Sequence, residues 1–268
     1  MKRFLSLCAI VATYVLCCSH ELFFKADSYF FSPNTQATLF LFNGTFDKSE
    51  NTIDRDRISD AQLLGPNYKL ALKEDMFYDI NQTTYMRFSV GDVGTYAGGI
   101  STKPRMISMD GQAFQDYLEH EGLEDTMAER MATGTQDVAV KEKYAKHVKT
   151  LLQVGDKNTP EFGAYFGFPI EFVAKTNPYT VGKGEAVSFQ LLSAGKPLAN
   201  HICHYSTSMP GLDAHDHERS ARTDANGIIK IFPNRSGQWY IATIHMEKSA
   251  EDGVDYESNW ATLTFAIR

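Results

Sequence analysis

The sequence predicts a mainly β protein built from two immunoglobulin-like β-sandwich units with a short helical insertion between them. Three observations predict it. Short apolar or alternating runs recur in both halves, Gly and Asn-Gly punctuation separates them, and helical spacing of apolar residues is confined to one stretch after Asp110. The implied organisation is a signal peptide over 1–19, an N-terminal β-sandwich over 20–107, a helical insertion and connecting segment over 108–169, and a C-terminal immunoglobulin-like sandwich over 170–268.

In the first unit Thr38, Phe40 and Phe42 alternate with Leu39 and Leu41, a run apolar on both faces that suits a strand inside a sandwich, and Asn43-Gly44 turns the chain. Further strands are predicted at Tyr68 to Leu72, Met76 to Ile80, Thr84 to Val90 and Thr95 to Ser101, punctuated by Gly91, Gly94 and Gly98-Gly99. In the insertion Phe114, Tyr117, Leu118 and Glu121 follow an Asp110 cap, and Leu123 to Met131 is a second helix ending before Gly134. Val138 to about Tyr144 reads as a further turn or two of helix, whereas Val148, Leu151, Leu152 and Val154 read as a strand.

The second unit opens with Val187, Phe189 and Leu191 alternating with polar residues; Gly195-Lys196-Pro197 turns the chain into Ile202 to Thr207. Asp224-Ala225-Asn226-Gly227 predicts a type I′ hairpin joining Ser220 to Thr223 with Ile228 to Phe232. Trp239 to Met246 and Trp260 to Ile267 complete the sandwich, in an order of strands and turns typical of immunoglobulin-like modules.

The N-terminus carries the sharpest chemistry. Lys2 and Arg3 precede an apolar run from Phe4 to Leu16, and Cys17 and Ser19 are the small residues a signal peptidase reads. Cleavage after Ser19 makes His20 the first residue, whose α-amine and imidazole Nδ1 can close a chelate ring on one metal ion. A lipoprotein alternative acylated at Cys18 requires small residues before the cysteine, and Leu16-Cys17 is a poor version of that. Cys8, Cys17 and Cys18 lie in the signal, so Cys203 has no internal disulfide partner.

With 43% hydrophobic and 22% charged residues the composition is that of a globular protein. Without Lys2 and Arg3, 24 basic residues face 33 acidic ones and the formal charge moves from −7 to −9. That balance argues against nucleic acid and anionic membranes, and it is compatible with gathering cations. No second apolar run approaches the roughly 20 residues of a membrane span. Membrane work would need another subunit to supply the span.

Two histidine groups could ligate metal. His245 ends a predicted strand beside an acidic segment with Asp255 and Glu257, and imidazole with carboxylate suits divalent transition metals. His201, His204, His215 and His217 place four of the eight histidines in one short stretch around Cys203, without zinc-finger spacing. They are secondary candidates. No nucleophile elbow, zinc-protease helix, phosphate loop or dinucleotide fingerprint is present, so no catalytic residue is predicted.

Taken together, His20-Glu21-Leu22-Phe23-Phe24, Tyr144-Ala145-Lys146-His147-Val148-Lys149, Asn177-Pro178-Tyr179, Gly195-Lys196-Pro197-Leu198, Thr223 to Gly227, Gly237-Gln238-Trp239-Tyr240, His245-Met246 and Asp255 to Phe265 resemble one family. It is an exported bacterial family of unknown function grouped with the NikM-like or NikK-like extracytoplasmic components of nickel and cobalt uptake systems. The resemblance implies a periplasmic or secreted, non-catalytic protein that binds nickel or cobalt and hands it to a membrane transporter subunit. It matches His20 to the family's mature-start histidine, His245 to its His-Met pair, and Asp255 and Glu257 to its Asp-aromatic-Glu-Ser segment, with Tyr256 where Trp is more usual. From it we expect His20, His245, Asp255 and Glu257 to converge on one site, where copper would win on intrinsic affinity. The rivals are a copper histidine-brace redox protein using the same His20 chelate, and a carbohydrate- or protein-binding adhesion module using the sandwich alone.

Overall fold

Residues 21–268 are described by the computed structural model; the predicted signal peptide and His20 lie outside the described residues. The fold is mainly β, with three sheets and, among the described residues, two α-helices. A ten-stranded sheet forms the centre and runs, edge to edge, through Arg219–Arg222, Ile202–Thr207, Gly237–Lys248, Tyr256–Ile267, Val140–Val154, Gly94–Thr102, Ile58–Gly65 and Tyr68–Ala71. Arg105–Met109 and Phe30–Phe31 add to it along Val140–Val154.

Each half of this sheet is one wall of a sandwich. Over one half lies a five-stranded sheet of Glu21–Lys25, Gln36–Gly44, Thr83–Ser89 and Phe77–Ile80, with Ser49–Asn51 at its side. Leu39, Leu41 and Met86 from it meet Leu63, Tyr96, Ile100 and Leu152 in the first core. Over the other half lies a four-stranded sheet of Ile170–Ala174, Val187–Ser193, Lys196–Pro197 and Ile228–Ile231. Phe172, Phe189 and Leu191 from it meet Trp239, Ile241, Leu263 and Phe265 in the second core. Each such fully buried side chain contributes about 1.5–3 kcal/mol.

The two sandwiches are fused by the parallel pairing of Val140–Val154 with Tyr256–Ile267, in register from Glu142 opposite Tyr256 to Thr150 opposite Thr264. The strand Val140–Val154 therefore replaces the helical turns predicted over Val138 to Tyr144. Its first residues pair antiparallel with Arg105–Met109, and alternation of Val140 and Glu142 inward with Lys141 outward follows the two-residue period of a strand. Tertiary pairing overrides the weak helical preference of Lys and Glu here.

The two predicted helices are present as α1, Gly111–His120, and α2, Glu124–Thr133. Asp110 caps α1 by accepting a hydrogen bond from the Ala113 amide at 2.8 Å. Gly134 ends α2 with φ 65°, a left-handed conformation that suits glycine. Phe114, Tyr117 and Leu118 recur at helical spacing and bury α1 against Ile244, Tyr256 and Trp260. The insertion thus packs on the central sheet.

The predicted type I′ hairpin is not formed. Gly227 takes φ 69° while Asn226 keeps a negative φ, and Asp224 Oδ1 accepts the amides of Asn226 and Ile228 at 2.8 and 2.9 Å. The flanking strands do not pair: Arg219–Arg222 joins Ile202–Thr207 in the central sheet, and Ile228–Ile231 joins Val187–Ser193 in the four-stranded one. A turn of this sequence can carry a chain between sheets as readily as close a hairpin.

Candidate metal centre

The strand Glu21–Lys25 is buried along its whole length. Leu22 and Phe24 face the first core, and the alternate residues Glu21, Phe23 and Lys25 face the other sandwich. Phe23 packs edge-on against Tyr240 at 5.1 Å and Phe46 at 5.3 Å between ring centres, and the same cluster contains Ala214. Asp47 then accepts the Ala214 amide at 2.7 Å and the Ser208 hydroxyl at 2.7 Å, tying the first unit to the loop that carries the His215 segment. This packing brings the first described residue beside a group of histidines and carboxylates.

That group is organised on Glu218. His204, on the strand Ile202–Thr207, donates from Nδ1 to Glu218 Oε1 at 3.0 Å. His215, on the 3₁₀ turn Ala214–His217, places Nδ1 3.6 Å from Glu218 Oε2, and the Tyr240 hydroxyl donates to the same oxygen. A carboxylate on Nδ1 leaves the Nε2 lone pair of His204 available, the arrangement that orients metal-ligating imidazoles. His204 Nε2 is buried without a hydrogen-bond partner among the described residues, and so is Glu21 Oε2. The turn between α1 and α2 covers this point: a Cβ on Gly122 would lie 3.8 Å from His204 Nε2. The same turn holds Glu121, and His120 stands with its ring 6.2 Å from that of His215.

The electrostatics are those of crowded, poorly solvated carboxyls. Burial pushes Glu121 up to about 8, with Glu218 and Glu142 adding and His204 and Lys146 opposing. Burial likewise holds Glu21 well above the ordinary carboxyl range, reinforced by Glu121 and Glu218. For Glu218 burial acts upward, but the bonds from His204 and Tyr240 outweigh it and keep the carboxyl ionised below its usual range. Burial disfavours the His204 imidazolium, yet the Glu218 and Glu121 carboxyls and the Glu121 backbone carbonyl nearby, although too poorly placed for a full hydrogen bond to Nε2, more than compensate and raise its pKa, so a metal at Nε2 would have to displace a proton. Lys146 is pushed down to about 7 by burial and by Arg57. At neutral pH Glu21 and Glu121 therefore hold their protons, and Glu218, bonded to His204 and Tyr240, is the carboxyl of this group kept ionised.

The residues predicted from sequence are dispersed. His245 Nε2 lies 3.4 Å from Glu247, and its ring stands 5.3 Å from that of His201. Asp255 accepts the Lys141 amide at 2.7 Å, and Glu257 accepts the Ser249 hydroxyl at 2.8 Å and lies 3.5 Å from the Lys143 ammonium. His245, Asp255 and Glu257 thus have separate partners, and His20 is not among the described residues. The secondary cluster divides. His201 Nε2 bonds the Ile244 carbonyl at 3.0 Å, His217 Nε2 the Thr207 carbonyl at 2.9 Å, and only His204 and His215 share a carboxylate. Cys203 is in the second core, and burial pushes its thiol up to about 12. Among the described residues no group of three or more His, Cys, Asp or Glu side chains is by itself arranged to hold a metal ion.

Sequence reading missed Glu21, His120, Glu121, Glu218 and Tyr240. Glu218 was within reach, because it ends the run His215-Asp216-His217-Glu218. Glu121 had no local signal beyond its helical position.

The model of a domain of unknown function, DUF4198, matches residues 17–247. The chain belongs to the DUF4198 family. The DUF4198 match takes in Glu21, Glu121, His204, His215 and Glu218, and it ends before Asp255 and Glu257. No curated protein matches the chain. Among solved structures it is similar to the D0-D1 domain of intimin, at 11% identity over 90% of this chain and 96% of that one, TM-score 0.21. It is also similar to trypsin-activated α2-macroglobulin from Escherichia coli, at 8% identity over 92% of this chain but 15% of that one, TM-score 0.25. The Salmonella α2-macroglobulin mutant Y1175G is similar at 11% identity, over 92% of this chain and 15% of that one, TM-score 0.25. At these TM-scores the likenesses carry no argument about the DUF4198 chain's function.

Proposed function

We propose that this protein is an exported, non-catalytic binder of a divalent transition metal, nickel or cobalt first and copper second, serving a membrane transporter in metal uptake. The observation that carries the reading is His204, oriented through Nδ1 by Glu218 and left with an unpartnered, buried Nε2, while Glu21, which feels the same Glu218, has an equally unpartnered Oε2. Imidazole nitrogen with carboxylate oxygen suits these metals and not magnesium or calcium. The described residues lack a full donor set. A chain cleaved after Ser19 would begin at His20, one peptide link or about 3.8 Å from the Glu21 Cα. Its amine and imidazole would then supply two nitrogens next to the His204 group. The resemblance to the extracytoplasmic components of nickel and cobalt systems supports a metal role and matches both His20 and His245; the separate partners of His245 lead us to centre the proposal on His20 and His204.

The test is intact mass of the exported protein, then calorimetric titration with nickel and with copper of the parent and of His20→Ala, His204→Ala and His245→Ala. The expected mass starts at His20, and His20→Ala and His204→Ala each weaken the tight equivalent at least about 100-fold. His245→Ala binds as the parent does. A chain starting elsewhere, or a His204→Ala protein with parental affinity, overturns the assignment; loss confined to His20→Ala and His245→Ala would return the site to the Asp255 and Glu257 end.

A further inference from the structure

A cavity of about 450 Å³ opens beside this cluster, between the Ile53 to Arg57 segment, the strand Arg105–Met109 and the start of Val140–Val154. Its charged groups are unequally satisfied. Arg105 is ion-paired with Asp54, and Glu142 accepts hydrogen bonds from the hydroxyls of Ser258 and Tyr117. Arg57 and Lys146, only 6% and 5% exposed, have no carboxylate ion-pair partner among the described residues. Lys146 Nζ reaches Asn43 Oδ1 at 3.4 Å, and Arg57 Nε and Nη2 have no hydrogen-bond partner. Those two nitrogens form the side-on edge of the guanidinium, whose parallel N–H groups match the two oxygens of a carboxylate.

The walls are aromatic and aliphatic. Arg57 stacks 4.8 Å from the centre of the Tyr144 ring, Lys146 stands 5.8 Å from the same ring and 5.6 Å from that of Trp260, and Ile107 and Met109 complete the lining. Two like charges held near one ring repel each other, and an anion between them relieves that repulsion. An inorganic ion would leave the apolar walls in contact with water, whereas an organic body removes them from it.

We propose that this cavity binds a small organic carboxylate with an aromatic or apolar body, its carboxylate held by the Arg57 fork and the Lys146 ammonium and its body against Tyr144 and Trp260. Arg57, Tyr144 and Trp260 lie outside the His204 group, whereas Lys146 also acts on Glu21 and Glu121, so Arg57→Lys is the variant that tests this cavity apart from metal binding.

The test uses the full exported chain stripped of metal with a chelator, with benzoate as the probe, benzamide as its neutral isostere and inorganic phosphate as the bodiless anion. Binding is read by calorimetry and by Trp260 fluorescence, with a Trp260→Phe control to separate it from Trp239. Benzoate is expected to bind at least about tenfold more tightly than either comparator. Arg57→Lys keeps the charge but removes the fork, and Lys146→Met removes the second cation; each is expected to weaken benzoate about tenfold or more. Circular dichroism of both variants confirms that the fold is retained, and Arg57→Lys serves if Lys146→Met does not fold. No benzoate binding at about 10 mM, benzamide or phosphate binding as tightly as benzoate, or parental affinity in the folded variants overturns the proposal.

Discussion

Two buried groups of charges in this molecule invite comparison. Lys149 and Glu171 lie in the second sandwich at 2% and 0% side-chain exposure, their charges 2.7 Å apart. Every face of that pair is occupied: Lys149 also donates to the Ala164 carbonyl at 2.7 Å, and Glu171 accepts the amides of Phe166, Gly167 and Phe168. Around His204 the opposite holds. Glu21 is buried and Glu121 half-buried, both with pKa values driven upward, and His204 Nε2 and Glu21 Oε2 have no partner among the described residues. A saturated buried pair holds structure, because removing either member strands the other. An unsaturated group costs stability and is open to a ligand that completes it.

The largest expected effect breaks the saturated group. Glu171→Gln should cost about 3–5 kcal/mol of unfolding free energy in urea denaturation while metal affinity of the folded protein is unchanged. A loss below about 1 kcal/mol would mean the pair is as dispensable as a surface salt bridge. At the other group Glu218→Gln should reverse the pattern, with metal affinity falling about 10- to 100-fold because His204 loses its orienting carboxylate. Unaltered titrations would leave Glu218 a structural residue only.

Acidity sharpens the contrast further. Between the unfolded value of 4.5 and about 8, folded Glu121 holds a proton that the unfolded chain has released, so this residue's contribution to stability falls as pH rises through that range. Glu21 acts in the same direction. Lys146, pushed down to about 7 from 10.5, acts oppositely above pH 7, where the unfolded chain holds the extra proton. In the metal-free protein Glu121 should therefore lower the melting temperature as pH rises from 5 to about 7, against His201, which burial pushes down to about 4 and which acts oppositely below 6.5, and Glu121→Gln should remove that downward contribution from the slope. An equal slope in the variant would remove Glu121 from the account. The smallest effect lies outside both groups: Asp110→Ala removes the α1 cap and should cost about 1 kcal/mol by thermal denaturation, with no change in metal titration.

Much of the architecture was legible in the chain. Alternation placed the strands Gly237–Lys248 and Tyr256–Ile267 to within a few residues, and Asp110 with Phe114, Tyr117 and Leu118 announced α1. Local patterns failed where partners lie far away. Val140–Val154 is a strand along its whole length because both Arg105–Met109 and Tyr256–Ile267 pair with it, and Asp224 to Gly227 joins two sheets. The metal reading met the same limit. Residue types singled out His204 and His215, but ranked them below His245, since spacing in sequence does not say which carboxylate an imidazole meets.

The sequence by itself determined the mainly β character, the place of the helical insertion, the absence of the familiar catalytic motifs, and the histidines worth weighing. Those follow from side-chain period, turn chemistry and composition, all local properties of the chain. Only the tertiary structure decided that Glu21, Glu121 and the His204–Glu218 pair, from three distant segments, share one poorly solvated environment. The physical reason is that ligation and pKa depend on distance and burial. Both are set by the Phe23, Phe46 and Tyr240 contacts that dock the first strand against the second sandwich.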